Sequence, residues 1–252
     1  MQTPQSAELE LDDVRSDGVQ VIAGAFDAAA VDDARHVVLA HTDLMKRTRP
    51  TPSARHLAGF HRFPALEPLH GVLTGNPMVT AHLHALLGTQ LRTIGLSDIT
   101  IDRSQPWHKD LLRGPYRSFL EPDGVCANNH GKAFKVIMYL QDSSSLQVIV
   151  GSHLHDVDLN NDEHAVPRPG DSVIPVPVRR GDAVIIDLCT THCGADEATY
   201  LAAAPGAPPR ILVSTVFTRA DCEFADRLEA GNAARLADWA RRPPEPLEAA
   251  IA

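Results

Sequence analysis

The chain has 252 residues, 44% of them hydrophobic, and a formal net charge of −9. That is enough apolar material for one large core, and an acidic chain without a basic run argues against nucleic acid as a partner. The opening MQTPQSAELELDD is too polar for a signal peptide, and no apolar run approaches the roughly 20 residues that span a bilayer. The expectation is a cytoplasmic protein, monomer or homodimer, away from membranes, whose partner is a small molecule.

In chain order, LDDVRSDGVQVIAGAF predicts a short helix, a glycine break and a short strand. DAAAVDDARHVVLAH follows with Val31, Ala34, Val37 and Val38 at helical spacing and Asp27 as N-cap. Residues 46–62 are basic and punctuated by proline, and read as a loop. NPMVTAHLHALLG is a helix with Asn76 as cap, Pro77 in its first position and Gly88 as its stop. From residue 89 the texture changes to short β-rich runs separated by turn residues: TQLRTIGLSDITI, FKVIMYL, LQVIVG, SVIPVPV, DAVIIDL and RILVSTVF. That pattern belongs to a sandwich or jelly roll. PYRSFLEPDGVCANNHGKA is long and polar, a candidate lid over a pocket mouth. DCEFADRLEAGNAARLADWARR closes the chain as a helix with Phe224, Leu228, Leu236 and Trp239 on its apolar side. The predicted fold is mainly β with flanking helices, in one domain: a helical part at 1–88, a jelly-roll core (double-stranded β-helix, cupin-like) at 89–220, and a closing helix at 221–242. Cys126, Cys189, Cys193 and Cys222 make no paired C-x2-C modules and are expected to be free thiols. CTTHC lacks the second ligand pair that structural zinc needs.

The pattern H-x-D occurs twice, at His41/Asp43 and His108/Asp110. On a strand, residues i and i+2 share a face roughly 7 Å apart; on a helix they stand about 200° apart. His41 and Asp43 end a predicted helix and cannot easily converge, whereas His108 and Asp110 follow a β-like run. A third ligand must come from elsewhere, and His192 stands just past the buried-looking strand Ala183 to Leu188. Two histidines and one carboxylate make the facial triad of non-haem Fe(II) oxygenases. Arg210 opens the next strand, eighteen positions on. Each residue taken singly also fits a surface or core role; their order and setting point to a site. In FKVIMYL, Lys135, Ile137 and Tyr139 share the face that would line the barrel, while Phe134, Val136, Met138 and Leu140 would pack under helices or a second sheet. Lys135 then either meets an anion in the pocket or snorkels to its rim.

These pieces resemble the phytanoyl-CoA dioxygenase (PhyH-type) family of Fe(II)/2-oxoglutarate oxygenases. SDGVQVIAGAFDAAAVDDAR is similar to its N-terminal helix–strand–helix, WHKD to its W-H-x-D box, MYLQDSSSLQVIVGSH to its G-S-H segment and RGDAVIIDLCTTHCG to its G-D…H box, across roughly residues 8 to 220. The resemblance implies that His108, Asp110 and His192 hold Fe(II). It implies that Arg210 grips the C5 carboxylate of 2-oxoglutarate by a bidentate pair. The gap to Arg210 is longer than is usual in the family; YLAAAPGAPP reads as an insertion that accounts for it, and Arg219 is the fallback. VIVGSH replaces the family's more usual P-G-S-H, with His153 structural and His155 lacking ligand spacing. Lys135 and Ile137 would face the cofactor, Lys135 meeting a carboxylate of 2-oxoglutarate or of the substrate. The implied reaction consumes O2 and 2-oxoglutarate, releases succinate and CO2, and hydroxylates an unactivated C–H of a small metabolite. That metabolite is expected to be amino-acid-like or a natural-product intermediate, with a negative charge. Halogenases of this class carry a small residue where Asp110 stands, so the carboxylate favours hydroxylation. Desaturation, epimerisation and ring formation share the same triad. A cupin-type metal enzyme or a jelly-roll binding module not using 2-oxoglutarate would need no anchoring arginine. Substrate selection is expected from the loops at 46–62 and 113–133, with Arg117, Asn128, Asn129 and the strand residue Tyr139 as polar candidates.

Overall fold

A computed structural model describes residues 13–120, 125–156, 167–204 and 206–241. The acidic opening residues, positions 121–124 of the expected lid and Arg242 of the closing helix lie outside them. The single turn α1 (Val14–Asp17) is capped by Asp13, whose side chain accepts the Arg15 N–H, and is stopped by Gly18 at φ 84°. A Cβ at Gly18 would fall 2.4 Å from Thr190 Oγ1, so close approach and left-handed backbone both require glycine there. The chain turns into β1 (Val19–Ile22) and then α2 (Ala28–Ala40), whose N-cap Asp27 accepts the Ala30 N–H. Val31, Ala34 and Val38 of α2 are buried, as their spacing predicts, with Val37 partly so.

Residues 46–62 depart from the predicted loop. They form β2 (Lys46–Arg47), β3 (Arg55–Ala58) and a 3-10 turn, Phe60–Arg62. The strand character comes from pairing with a neighbour, which two- and four-residue polar stretches cannot announce. α3 (Glu67–Thr74), with Pro68 in its first turn and Gly71 inside, also escaped prediction. α4 (Pro77–Leu87) runs from Asn76 to Gly88 as expected.

β4 (Leu91–Thr93) and β5 (Asp98–Ile101) follow, then a 3-10 segment at Gly114–Phe119, α5 (Val125–Asn129) and β6 (Ala133–Tyr139). The chain continues through β7 (Gln147–Ile149), β8 (Val173–Pro175), β9 (Ala183–Asp187), β10 (His192–Cys193), α6 (Glu197–Leu201) and β11 (Ile211–Arg219). It closes with α7 (Glu223–Arg241).

The main sheet runs β1-β9-β6-β11-β5-β3-β2, with β4 on β11; the smaller sheet is β10-β7-β8, and every pairing is antiparallel. Strands of the supposedly helical N-terminal third therefore belong to the sheet. The two faces of β6 separate as its alternation dictates. Phe134, Val136, Met138 and Leu140 pack with α2, α3 and α4 in one core. Ile137 and Tyr139 join Val148, Val176, Val184 and Ile186 in a core between the sheets. Together these are a jelly roll with helices on its outer face. α7 lies against the 3-10 segment, and Gly231 permits the contact: a Cβ there would sit 2.2 Å from Leu112 Cδ1 and 3.1 Å from Phe119. No described helix is long and apolar enough to cross a membrane.

Candidate metal centre and its pocket

The site starts from one antiparallel bridge. His108 N–H donates to the His192 carbonyl and His192 N–H to the His108 carbonyl, both at 2.9 Å. Residues that exchange both backbone hydrogen bonds lie directly opposite with side chains on one face, and the two imidazole centroids are 4.3 Å apart. Asp110, two positions along, returns to the same face. Its Oδ1 is 3.6 Å from His108 Nε2 and its Oδ2 is 3.4 Å from His192 Nε2. His41 and Asp43 take no part; His41 Nδ1 lies 2.9 Å from the carbonyl of Val37, and Asp43 is exposed.

The donor set fits a metal ion. His108 Nδ1 lies 2.6 Å from the Pro106 carbonyl and His192 Nδ1 lies 3.0 Å from the Thr190 carbonyl. Those bonds place the proton on Nδ1 and leave both Nε2 lone pairs facing the cluster, the arrangement of metal-binding histidines. Burial lowers His108 and pushes His192 down to about 3, so both rings are neutral at neutral pH, the state in which imidazole can bind a metal. Burial alone would raise the Asp110 carboxyl, but chiefly the Lys135 ammonium holds it well below the usual carboxylate range. Asp110 Oδ2 is buried without a hydrogen-bond partner, an orphaned anionic oxygen of the kind an ion satisfies. The ligand atoms of these three residues all lie within 4.8 Å of one another.

Lys135 meets its anion, and the anion is Asp110: Nζ lies 2.8 Å from Oδ1. It neither snorkels to the rim nor waits unpaired for a carboxylate of 2-oxoglutarate or substrate. Lys109, between the ligands and facing the other way, is buried, with its ammonium on the carbonyls of Ser152 and Cys189. That cation ties the ligand stretch to the loop after β9. Strand alternation offers a signal for it, since the residue between two inward ligands must point outward.

His108 and Asp110, but not His192, line a cavity of about 480 Å³, together with Ile137, Leu212, Ser214 and Val216 from β6 and β11. Arg210 is on the inward-facing register of β11 but outside this lining. Its Nη2 donates to the hydroxyls of Ser143 at 2.8 Å and Ser145 at 2.7 Å, and its guanidinium lies 6.0 Å from the Tyr200 ring. Tyr139 is buried in the intersheet core; burial raises its phenol, opposed by Arg210 and reinforced by Tyr200 and Asp110. Arg219 ends the nine-residue strand at its far end, exposed beside Asp221 and outside this lining.

The loop candidates divide. Arg117 is exposed and outside the cavity lining. Asn128 is exposed and lines a second cavity bounded by Arg219 and Arg227, and Asn129 is buried, bonded to Val125 and Lys132. The helix α5 places both at this second cavity and outside the one lined by His108 and Asp110. The cavity instead takes Lys46 and Arg47 of β2, Arg103 and Arg113 flanking the ligand stretch, and Arg235 and Trp239 of α7. Arg235 and Trp239 are four apart, hence on one helical face; that spacing was legible, but Trp239 reads as core when only apolar residues are counted. His153 is structural, its Nε2 2.9 Å from the Arg15 carbonyl, and His155 is exposed. All four cysteines are free and buried.

Residues 14–199 match the model of the phytanoyl-CoA dioxygenase (PhyH) family. The chain belongs to this family. Iron and 2-oxoglutarate are its cofactors, with O2 as oxidant, and the His-Asp-His group is the feature of this chain that meets them. Three solved structures share the fold. The epimerase SnoN, in complex with Fe3+, alpha ketoglutarate and nogalamycin RO, is 21% identical with a TM-score of 0.61, covering 84% of this chain and 86% of its own. The carbocyclase SnoK from nogalamycin biosynthesis is 18% identical, TM-score 0.59, covering 93% and 90%. HygX from Streptomyces hygroscopicus, with nickel, 2-oxoglutarate and hygromycin B bound, is 16% identical, TM-score 0.57, covering 82% and 85%. No curated protein sequence matches the chain significantly. The matched stretch of this PhyH-family oxygenase includes His108, Asp110 and His192 and ends before Arg210.

Proposed function

We propose that the protein is a cytoplasmic hydroxylase that inserts one oxygen atom into an unactivated C–H bond of a small anionic metabolite. The observation that supports it most is the convergence of two neutral imidazoles and an orphaned carboxylate oxygen on one point beside a 480 Å³ cavity. His108, Asp110 and His192 would hold Fe(II), which with 2-oxoglutarate and O2 supplies oxidative decarboxylation to succinate and CO2.

The chain's own residues do the rest. The carbonyls of Pro106 and Thr190 fix the imidazole tautomers. Lys135 occupies Asp110 Oδ1 and leaves Oδ2 as the donor. Arg210 would hold the distal carboxylate of 2-oxoglutarate by charge-assisted bonds, its guanidinium already steered by Ser143 and Ser145. Ile137 would cover the co-substrate from β6. The lining then chooses which C–H comes near the metal, where about 1 Å of misplacement costs roughly 100-fold in rate. Asp110 fills the position where halogenases of this class have a small residue, which supports hydroxylation.

The test is iron-dependent formation of succinate from 2-oxoglutarate by the purified protein, with and without candidate metabolites. Asp110→Ala should abolish it, and full activity in that variant would remove the triad. A product heavier by one oxygen supports hydroxylation; a product of unchanged mass would move the protein toward the epimerase chemistry named for SnoN.

A further inference from the structure

Two reactive side chains meet beside the metal centre and take no part in it. Cys126 of α5 and Cys189 of the loop after β9 are remote in the chain, yet their thiols are hydrogen-bonded to each other. Both residues are buried, Cys126 with 2% of its surface exposed and Cys189 with none. Their backbones are held in place from both sides. The Cys126 N–H donates to Asp156 Oδ1 and the Cys189 N–H to Asp187 Oδ1, each at 2.8 Å. The other oxygen of Asp187 accepts the Gly131 N–H, just past α5, at 2.5 Å. One carboxylate thus ties the end of α5 to the loop of Cys189. That loop leads straight into the site. The carbonyl of Thr190, the next residue, lies 3.0 Å from His192 Nδ1 and orients that ring. The carbonyl of Cys189 itself accepts the ammonium of Lys109, which stands between His108 and Asp110.

We infer that Cys126 and Cys189 are a redox site: hydrogen peroxide joins them in a reversible disulfide, and closing that bond weakens metal binding at His108, Asp110 and His192. Two sulfurs in hydrogen-bond contact must close to about 2.05 Å in a disulfide. The loop that moves carries the carbonyls that steer His192 and hold Lys109, and disturbing the partners that orient a metal-binding histidine costs roughly 10–100-fold in metal affinity. The Cys126 sulfur, whose thiolate is favoured by the hydrogen bond from Cys189, attacks one peroxide oxygen. The O–O bond breaks, leaving a sulfenic acid on Cys126 and one water. The Cys189 sulfur then attacks the Cys126 sulfur, the S–O bond breaks, and the hydroxide leaves with the Cys189 proton as a second water. Two thiols are oxidised to one disulfide and one peroxide is reduced to two waters. The cross-link itself does not depend on the oxygenase reading; its effect on metal rests on the triad.

The experiment treats the full chain, reduced and metal-free, with an equimolar amount of hydrogen peroxide. Remaining thiols are alkylated and the protein is digested without reductant. The expected result is a linked peptide pair joining Cys126 to Cys189, lighter by two hydrogens than its separate halves and parted by a phosphine reductant, with Cys193 and Cys222 alkylated. Calorimetric titration with Ni(II) then compares oxidised, reduced and re-reduced protein after the reagents are removed. The oxidised form should bind about tenfold more weakly and re-reduction should restore it. Cys126→Ser given the same peroxide should show no linked pair and an unchanged Kd; the parent compared with itself carries the test should that variant not fold. The inference is overturned if the folded parent yields no linked pair, if the link joins other cysteines, or if oxidised and reduced protein bind Ni(II) within about twofold of each other. A reduced protein that binds no Ni(II) would sink the metal reading, and the effect on metal with it, while the peptide map still decides the cross-link.

Discussion

Lys135 touches the single acidic ligand through one oxygen and leaves the other orphaned, so it decides how that ligand is presented. Lys135→Met keeps the length of the side chain and removes the ammonium. Without it both oxygens of Asp110 are free to chelate, and one cation fewer opposes a divalent ion. Affinity for Co(II) or Ni(II) should therefore not fall, while succinate formation should drop at least tenfold as the second oxygen occupies space the reaction needs. A metal titration beside the succinate assay checks this, and weakened metal binding would assign Lys135 a merely structural part. Arg210→Ala should raise the 2-oxoglutarate KM at least tenfold, whereas Arg219→Ala, which removes an exposed pair with Asp221, should leave it unchanged. At this scale, although His108 sits in an isolated bridge and not on a strand, the grouping of the three side chains was legible from the H-x-D spacing and a histidine just past a buried strand. Arg103, Arg113 and Arg235 were not, because an arginine near a cavity and one in solvent read alike in a single sequence.

Elements whose signals are local were read with their ends. Asn76 caps α4 by accepting from the Met78 and Val79 N–H groups at 3.0 Å, and its Nδ2 donates to the Ala25 carbonyl at 2.7 Å. Asn76→Ala should cost about 1–2 kcal/mol, seen as a lower urea midpoint with metal binding intact. Elements defined by partners were missed or misplaced. β10 has two residues and exists only as the other side of the His108 bridge and of β7. β3, read as loop, is held by its register on β5 from Arg55↔Ile101 to Ala58↔Asp98. Within 113–133 the chain divides for a related reason: Arg113 and Tyr116 line the main cavity, while Asn128 and Asn129 fold into α5, whose direction, invisible beforehand, places them at the second cavity.

Across the whole molecule, His56, His61, His70, His108 and His192 are all lowered, chiefly by burial, His56 to about 4. A histidine neutral in the fold but free to protonate when unfolded makes the unfolded chain bind more protons below its ordinary value of 6.5. Stability is then complete above that value and is lost as pH falls from 6.5 toward 4, with His56 alone accounting for about 2 kcal/mol at pH 5. The urea midpoint of chelator-treated protein, followed from pH 7.5 to 5, should decline; a flat profile would mean these rings are not neutral in the fold. The jelly roll itself was legible from run lengths and the opposed faces of β6, while the closure of two sheets around one cavity depends on pairings between residues remote in the chain. The His108–His192 bridge has a last consequence. One ion seated there would fasten a ribbon otherwise closed at that point by a single pair of backbone hydrogen bonds. Deuterium uptake at those two amides and the fraction of molecules carrying metal thus become two readings of one quantity.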